Sequence, residues 1–219
     1  MALIAKQPHW GATMVVFFIW ACICVAGRVP PKFLVLTALV GFLVLGGSFL
    51  FPRIFPRVIH GYHANRLDAF LGRSAEKGSN YQTDRAMIAF GKGGIIGDGF
   101  DRGTQGPFIP EQESDFIFTV PGEELGLFGC TLILISFGFF FYRIWLIMVW
   151  AQEPLYRMMA GGILGLFLVQ TFVNLFMVMK LLPVIGLWLP FMSYGGTAIW
   201  LCMSAVALAL NIERQSSRI

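Results

Sequence analysis

The sequence predicts an all-α fold, a polytopic bundle of membrane-spanning helices interrupted by one long polar loop. Three observations carry this reading. The 219 residues are 57% hydrophobic and only 13% charged, where a soluble domain has about a quarter of its residues charged. Five apolar segments approach the roughly 20 residues that a helix rising ~1.5 Å per residue needs to cross a hydrocarbon core about 30 Å thick. The stretch 52–125 between them is of another kind, holding ten of the twelve acidic residues and eight of the sixteen basic ones.

In chain order, the expected spans are 11–27, 33–51, 126–150, 160–179 and 197–211. Arg28, Pro30, Pro31 and Lys32 join the first two, and residues 151–159 join the third to the fourth, each link short enough for a tight hairpin. The amino terminus lacks the basic leader and small-residue cleavage site of a signal peptide and is expected to enter the middle of a larger protein. Within the loop, Asn65 to Leu71 and Arg85 to Phe90 are each expected to form a short helix, the second capped by Thr83 or Asp84. Placing the loop outside puts Arg28, Lys32, Arg143, Arg157, Arg214 and Arg218 on or near the cytoplasmic side, against Lys6 and Lys180 opposite. The positive-inside bias therefore favours an extracytoplasmic loop and a cytoplasmic carboxy terminus.

Several function classes are excluded at this level. Cys22, Cys24, Cys130 and Cys202 lie inside apolar stretches without the Cys or His spacing of a zinc site. The net charge of +4 is spread along the chain rather than gathered into a basic patch, which argues against nucleic acid. Gly91, Gly93, Gly94, Gly97 and Gly99 match neither a Walker A loop nor a dinucleotide fingerprint, so no nucleotide is expected. Their density suits sharp turns and close backbone packing instead.

The motifs of the loop narrow the reading further. Asn80 to Asp84 leads into the glycine run 91–99. Gly103-Thr104-Gln105, Ile109-Pro110-Glu111, Asp115-Phe116-Ile117-Phe118 and Gly122-Glu123-Glu124-Leu125-Gly126 follow in order. This series resembles the long extracytoplasmic loop of the SEDS family of peptidoglycan glycosyltransferases, the FtsW/RodA/SpoVE type. Leu182-Pro183 and Leu189 to Gly196 resemble that family's signature before its last membrane helix, and Lys6-Gln7-Pro8 with Gly11 resembles a segment from the middle of the family's chain. The resemblance implies a fold of usually ten membrane helices, of which this chain matches the last five. It also implies a place in the bacterial inner membrane and a glycan-strand polymerase using lipid II. Implied partners are a class B penicillin-binding protein, other division or elongation proteins and membrane lipids. The rival readings are a lipid II flippase and a non-catalytic scaffold in the division machinery. Asn80 to Asp84 leans toward the division branch, Leu182 to Gly186 toward elongation.

Sugar transfer needs a base to take the proton of a poorly nucleophilic hydroxyl. Asp115 matches the position of the family's essential aspartate and is assigned that role, the alternative being that it caps the helix entering the membrane. The leaving diphosphate needs positive charge, for which Lys92, Arg102 and Arg85 are candidates, together with a divalent cation (Mg or Mn) recruited with substrate. Gln105, Ser193 and Tyr194 complete the candidate substrate contacts. Glu123 and Glu124 read as carboxylates beside Asp115 or in the first turn of a helix. Gln170 and Asn174, four residues apart, share one face of the fourth span and are expected to hold helices together. Two departures stand out: Gln7-Pro8-His9 where the family commonly has Gln-Pro-Asp, and Glu113-Ser114 where it commonly has His-Thr.

Overall fold

The structure, a computed structural model, describes residues 10–37, 39 and 77–216. Among these residues the regular structure is all helical. The α-helices are α1 (Trp10–Ala26), α2 (Lys77–Gly93), α3 (Thr119–Glu124), α4 (Gly126–Trp150), α5 (Pro154–Val178) and α6 (Gly196–Ser216), with a 3₁₀ turn at Gly106–Phe108. Residues 31–37 are also helical. The rest of the expected span 33–51 and the expected helix Asn65 to Leu71 lie outside the described residues.

Helices α4, α5 and α6, of 25, 25 and 21 residues, contain 18-residue stretches with mean hydropathies of 2.2, 1.9 and 1.5, long and apolar enough to cross a membrane. At ~1.5 Å per residue, the two 25-residue helices exceed a hydrocarbon core of about 30 Å. Helix α4 has the expected bounds. Helix α5 starts six residues before the expected 160, with Pro154 in its first turn, where a missing N–H costs nothing. Its early turn keeps Arg157 at the helix end, where the guanidinium Nε donates to the Ala26 carbonyl of α1 at 2.8 Å. Helix α6 continues to Ser216 rather than ending near 211, and Arg214 sits in its last turn, favourably placed against the helix dipole.

Helix α5 is the interior element. One side receives α1 across small residues: a Cβ on Gly161 would stand 2.5 Å from the Ala26 Cβ, and one on Gly165 2.7 Å from the Cys22 Cβ. Glycine spacing of this kind brings two membrane helices into backbone contact. Its other side packs Ala160, Ile163, Leu164 and Phe167 against Ile144 and Ile147 of α4 and Cys202, Ala205 and Ala209 of α6. Phe140, Phe167 and Phe191 close this core with centroid separations of 5.0–5.4 Å, the range in which aromatic pairs attract. Helices α4 and α6 leave most of their apolar surface exposed, as helices facing lipid or further helices do.

The polar loop is folded upon itself. Helix α2 runs from Lys77, so Thr83 and Asp84 lie inside it instead of capping a helix that starts at Arg85. The buried positions Thr83, Ala86 and Ala89 recur at helical spacing. Ala86 and Ala89 turn toward Ile109 and Phe116 of the returning chain and Met177 and Val178 at the end of α5. Lys180 Nζ, beyond α5, meets Asp84 Oδ1 of α2 at 2.6 Å. The glycine run closes against α3: Asp98 N and Gly99 N donate to the Glu123 and Glu124 carbonyls at 3.0 Å, and Leu127 N donates to Gly94 O at 2.9 Å. A Cβ on Gly97, whose φ is +87°, would stand 2.2 Å from Glu124 O, so only glycine fits both the backbone conformation and the gap.

Candidate functional site

Asp115 lies in a tight turn built on Glu111. The Glu111 carbonyl accepts from the backbone N–H of Ser114, Asp115 and Phe116 at 3.3, 3.0 and 3.3 Å, and Phe116 and Phe118, just beyond it, are buried in two separate apolar clusters. The N-cap positions of α3 and α4 are Phe118 and Leu125, so Asp115 stands ahead of both helices and occupies neither cap. Its Oδ2 faces Gly186, where a Cβ would lie 3.3 Å from that oxygen. The Asp115 carbonyl is held from the membrane side by Asn174 of α5, whose Nδ2 donates to Asp115 O at 2.7 Å and to Leu187 O at 2.6 Å.

Ser193 and Tyr194 reach the same turn. The Ser193 hydroxyl donates to Ser114 O and accepts from Leu189 N at 2.7 Å; with 3% of its surface exposed it ties the turn to the segment before α6. Tyr194 donates its backbone N–H to Glu113 O at 2.7 Å, leaving an exposed ring. That ring lines an open groove of about 580 Å³ with Gly106, Pro107, Glu111, Glu113 and Ser114. A second cavity of about 300 Å³ lies between α1, α5 and residues 185–188, walled by Gly11, Val15, Gln170, Gly186 and Trp188. Asp115 is linked to both only through neighbours: Ser114 lines the first, and Gly186, which its Oδ2 faces, lines the second.

Lys92 and Gln105 belong to another cluster. Lys92 Nζ contacts Asp98 Oδ2 at 2.8 Å, Glu123 Oε1 at 3.0 Å and Thr104 Oγ1 at 2.7 Å, which engages all three ammonium protons. Glu123 is 1% exposed and also accepts from the backbone N–H of Thr104 at 2.8 Å and of Gln105 at 3.2 Å. Hydrogen bonds to Asp98 and Glu123 hold the Lys92 ammonium above its ordinary range. Burial pushes Glu123 upward, but the Thr104 N–H, the Lys92 ammonium and the Gln105 N–H outweigh it and hold the carboxyl below its ordinary range. Glu123 thus sits at the end of α3 rather than in the first turn of a membrane helix. Lys92, whose side chain is 35% exposed, thus bridges Asp98 and Glu123 within the loop.

Arg85 is sandwiched between the rings of Tyr81 and Phe108, 5.1 Å from each centroid, and so joins α2 to the 3₁₀ turn. Arg102 is exposed, and among the described residues its guanidinium has no acidic partner. The structure therefore brings Asp115, Ser193 and Tyr194 together and joins Lys92 to Gln105 through Glu123, with Arg85 and Arg102 apart. Among the described residues no three His, Cys, Asp or Glu side chains converge as a metal site. His9 lies outside the described residues. The acceptor atoms Gln170 Oε1, Asn174 Oδ1 and Gln105 Oε1 are buried without a protein partner.

A bundle of membrane-crossing helices carrying a folded polar loop, with a carboxylate at the seam between loop and bundle, defines a multi-pass membrane protein with a built site at its polar face. The family described as "Cell cycle protein" (FtsW/RodA/SpoVE) matches residues 1–218, and the chain belongs to it. It is 34% identical over 215 residues to a "Probable peptidoglycan glycosyltransferase FtsW" of Geobacter sulfurreducens, covering 97% of this chain and 56% of that protein. It is 32% identical over 214 residues to "Peptidoglycan glycosyltransferase MrdB" of Escherichia coli K12, covering 96% of this chain and 56% of that one. With "Stage V sporulation protein E" of Bacillus subtilis it shares 36% identity over 157 residues, 71% of this chain and 43% of the relative. A chain solved in work on coordination of polymerization and crosslinking by a peptidoglycan synthase complex has the same fold, with a TM-score of 0.72 at 23% identity, over 98% of this chain and 58% of that one. The chain spans a little over half the length of these curated FtsW and MrdB relatives. Its family and apolar helices make it a multi-pass protein of the bacterial inner membrane.

Proposed function

We propose that the complete protein to which this chain contributes is a peptidoglycan glycosyltransferase that polymerises lipid II outside the cytoplasmic membrane, with Asp115 as general base. The observation that carries this is the setting of Asp115. Its carboxylate faces Gly186 where loop and bundle join; Gly186 lines the cavity between helices, and the neighbouring Ser114 lines the open groove beside the loop. A substrate with a membrane-anchored tail and a sugar headgroup needs such a junction. The names of the relatives support the reaction class.

In this reading Asp115 takes the proton of the acceptor hydroxyl as that oxygen attacks the anomeric carbon of the donor sugar. The bond from that carbon to the lipid diphosphate breaks and the diphosphate leaves. General-base help of this kind is worth about 10²–10⁴ in rate. Arg102 is the described loop base free to meet the diphosphate, and a divalent cation (Mg or Mn) would arrive with that diphosphate, coordinated mainly by its oxygens. Tyr194, with its ring in the groove, supplies a face for a sugar; Ser193 positions the turn. The class B penicillin-binding protein is the partner that would use the emerging strand. The experiment supplies lipid II to the complete protein, reconstituted with that partner, and measures glycan strands and lipid II translocation separately. Strands are expected. Translocation without strands would favour a flippase, and neither activity would favour a scaffold.

A further inference from the structure

The contacts of Asn174 go beyond joining helices. It is 0% exposed, on an apolar helix, and its two Nδ2 protons are given to two backbone carbonyls from different segments, Asp115 O at 2.7 Å and Leu187 O at 2.6 Å. Both partners are acceptors only, so the amide must turn its NH₂ toward them. The two carbonyls flank a place where the Asp115 carboxylate comes close to the opposite segment. That place is Gly186, which has a φ of +76° and leaves 3.3 Å between an added Cβ and Asp115 Oδ2. One amide thus fixes the distance between the turn that carries the carboxylate and the wall it faces.

We propose that Asn174 is a positioning residue for Asp115, acting with Gly186 as the gap into which the carboxylate fits. The proposal rests on the reading of Asp115 as general base. Loss of the amide would let the turn and the 185–188 segment separate, moving the carboxylate relative to a bound hydroxyl. Displacements near 1 Å can cost about 10² in rate. Substrate recognition by the open groove and the loop would be untouched, so the loss falls on kcat and not on KM.

The test uses the complete protein with its partner and fluorescent lipid II. Asn174→Leu keeps the branched shape and number of heavy atoms and removes both donors; Asn174→Ser restores one short donor; Gly186→Ala narrows the gap from the opposite segment and leaves Asn174 itself in place. Expected are a kcat lower by about 10² for Asn174→Leu, a partial return for Asn174→Ser, and a loss of similar kind for Gly186→Ala. KM should stay within about threefold, well short of the tenfold that 1.4 kcal/mol of lost binding would give. Wild-type kcat in Asn174→Leu, or a loss carried by KM, overturns the proposal. Failure of all three variants to accumulate as folded protein also overturns it, because the contact would then serve folding alone. Asp115→Asn, run in parallel, separates the two readings. If it polymerises normally the general-base assignment falls, whereas if it is inactive while Asn174→Leu is normal only the positioning role falls.

Discussion

Glu123 is a carboxylate with almost no access to water, kept ionised by one ammonium and two backbone N–H groups. Hydrogen bonds to a buried charge are worth more than neutral ones, and breaking such a set leaves several groups unpaired. Glu123→Gln should lower the stability of the loop by about 2–4 kcal/mol, read as faster hydrogen exchange in 94–105. The pH dependence has a definite sign. Glu123 is held below its ordinary value of 4.5, so its contribution is complete above about pH 4.5 and fades as pH falls through the lowered value. Lys92 is held above 10.5, so its contribution is complete below that pH and fades as pH rises beyond it. Loop protection should therefore be flat from about pH 5 to 10 and weaken in acid, and Glu123→Gln should remove the acid arm. Unchanged exchange in the variant would count against the hub. The sequence showed Glu123 only as an acid near a helix, because its partners stand 18 to 31 positions away and such pairing is invisible to local pattern.

The loop as an element was legible by composition and its glycines by density, but the face they pack against was not. Gly93 and Gly91 make the point, two residues apart on α2. A Cβ on Gly93 would stand 2.0 Å from Gly122 O, whereas Gly91 has nothing within 4 Å. Gly93→Ala should force α2 and α3 apart and cost at least the ~1–3 kcal/mol of an overpacked core. Gly91→Ala should stabilise α2 by about 0.5–1 kcal/mol through lower unfolded-state entropy and better helix propensity. Thermal unfolding of the two variants distinguishes them, and equal effects would refute the packing described. The early start of α2 escaped sequence reasoning because Lys77 to Tyr81 carries no apolar periodicity of its own. Its helix is completed by tertiary contacts, with Lys180 and Arg85 binding it to α5 and the 3₁₀ turn.

At the scale of the whole molecule the membrane helices were the most legible part. Segment length and apolar content are set by the bilayer, and α4 follows them to the residue. Helix ends were harder wherever a charged residue such as Arg157 or Arg214 could sit at the interface and let the helix run on. Asn174 was visible as a polar residue in an apolar span, while the carbonyls it holds were not. From the charge pattern, the loop is expected outside and the end of α6 in the cytoplasm. Asp101→Cys should thus be labelled by an impermeant reagent from the extracytoplasmic side and Gln215→Cys should be protected, in a protein lacking its native cysteines. The reverse pattern would place Asp115 on the wrong face for polymerisation.

The central claim is that one carboxylate, held between loop and bundle, takes a proton during glycan synthesis. Its most direct measurement is the rate of strand formation from lipid II by the complete protein with and without that charge, in the presence of its partner. Asp115→Asn keeps the size of the side chain and removes the base, and should lower the rate by about 10²–10⁴ while folding and partner binding persist. Strand formation at the wild-type rate in Asp115→Asn would contradict it.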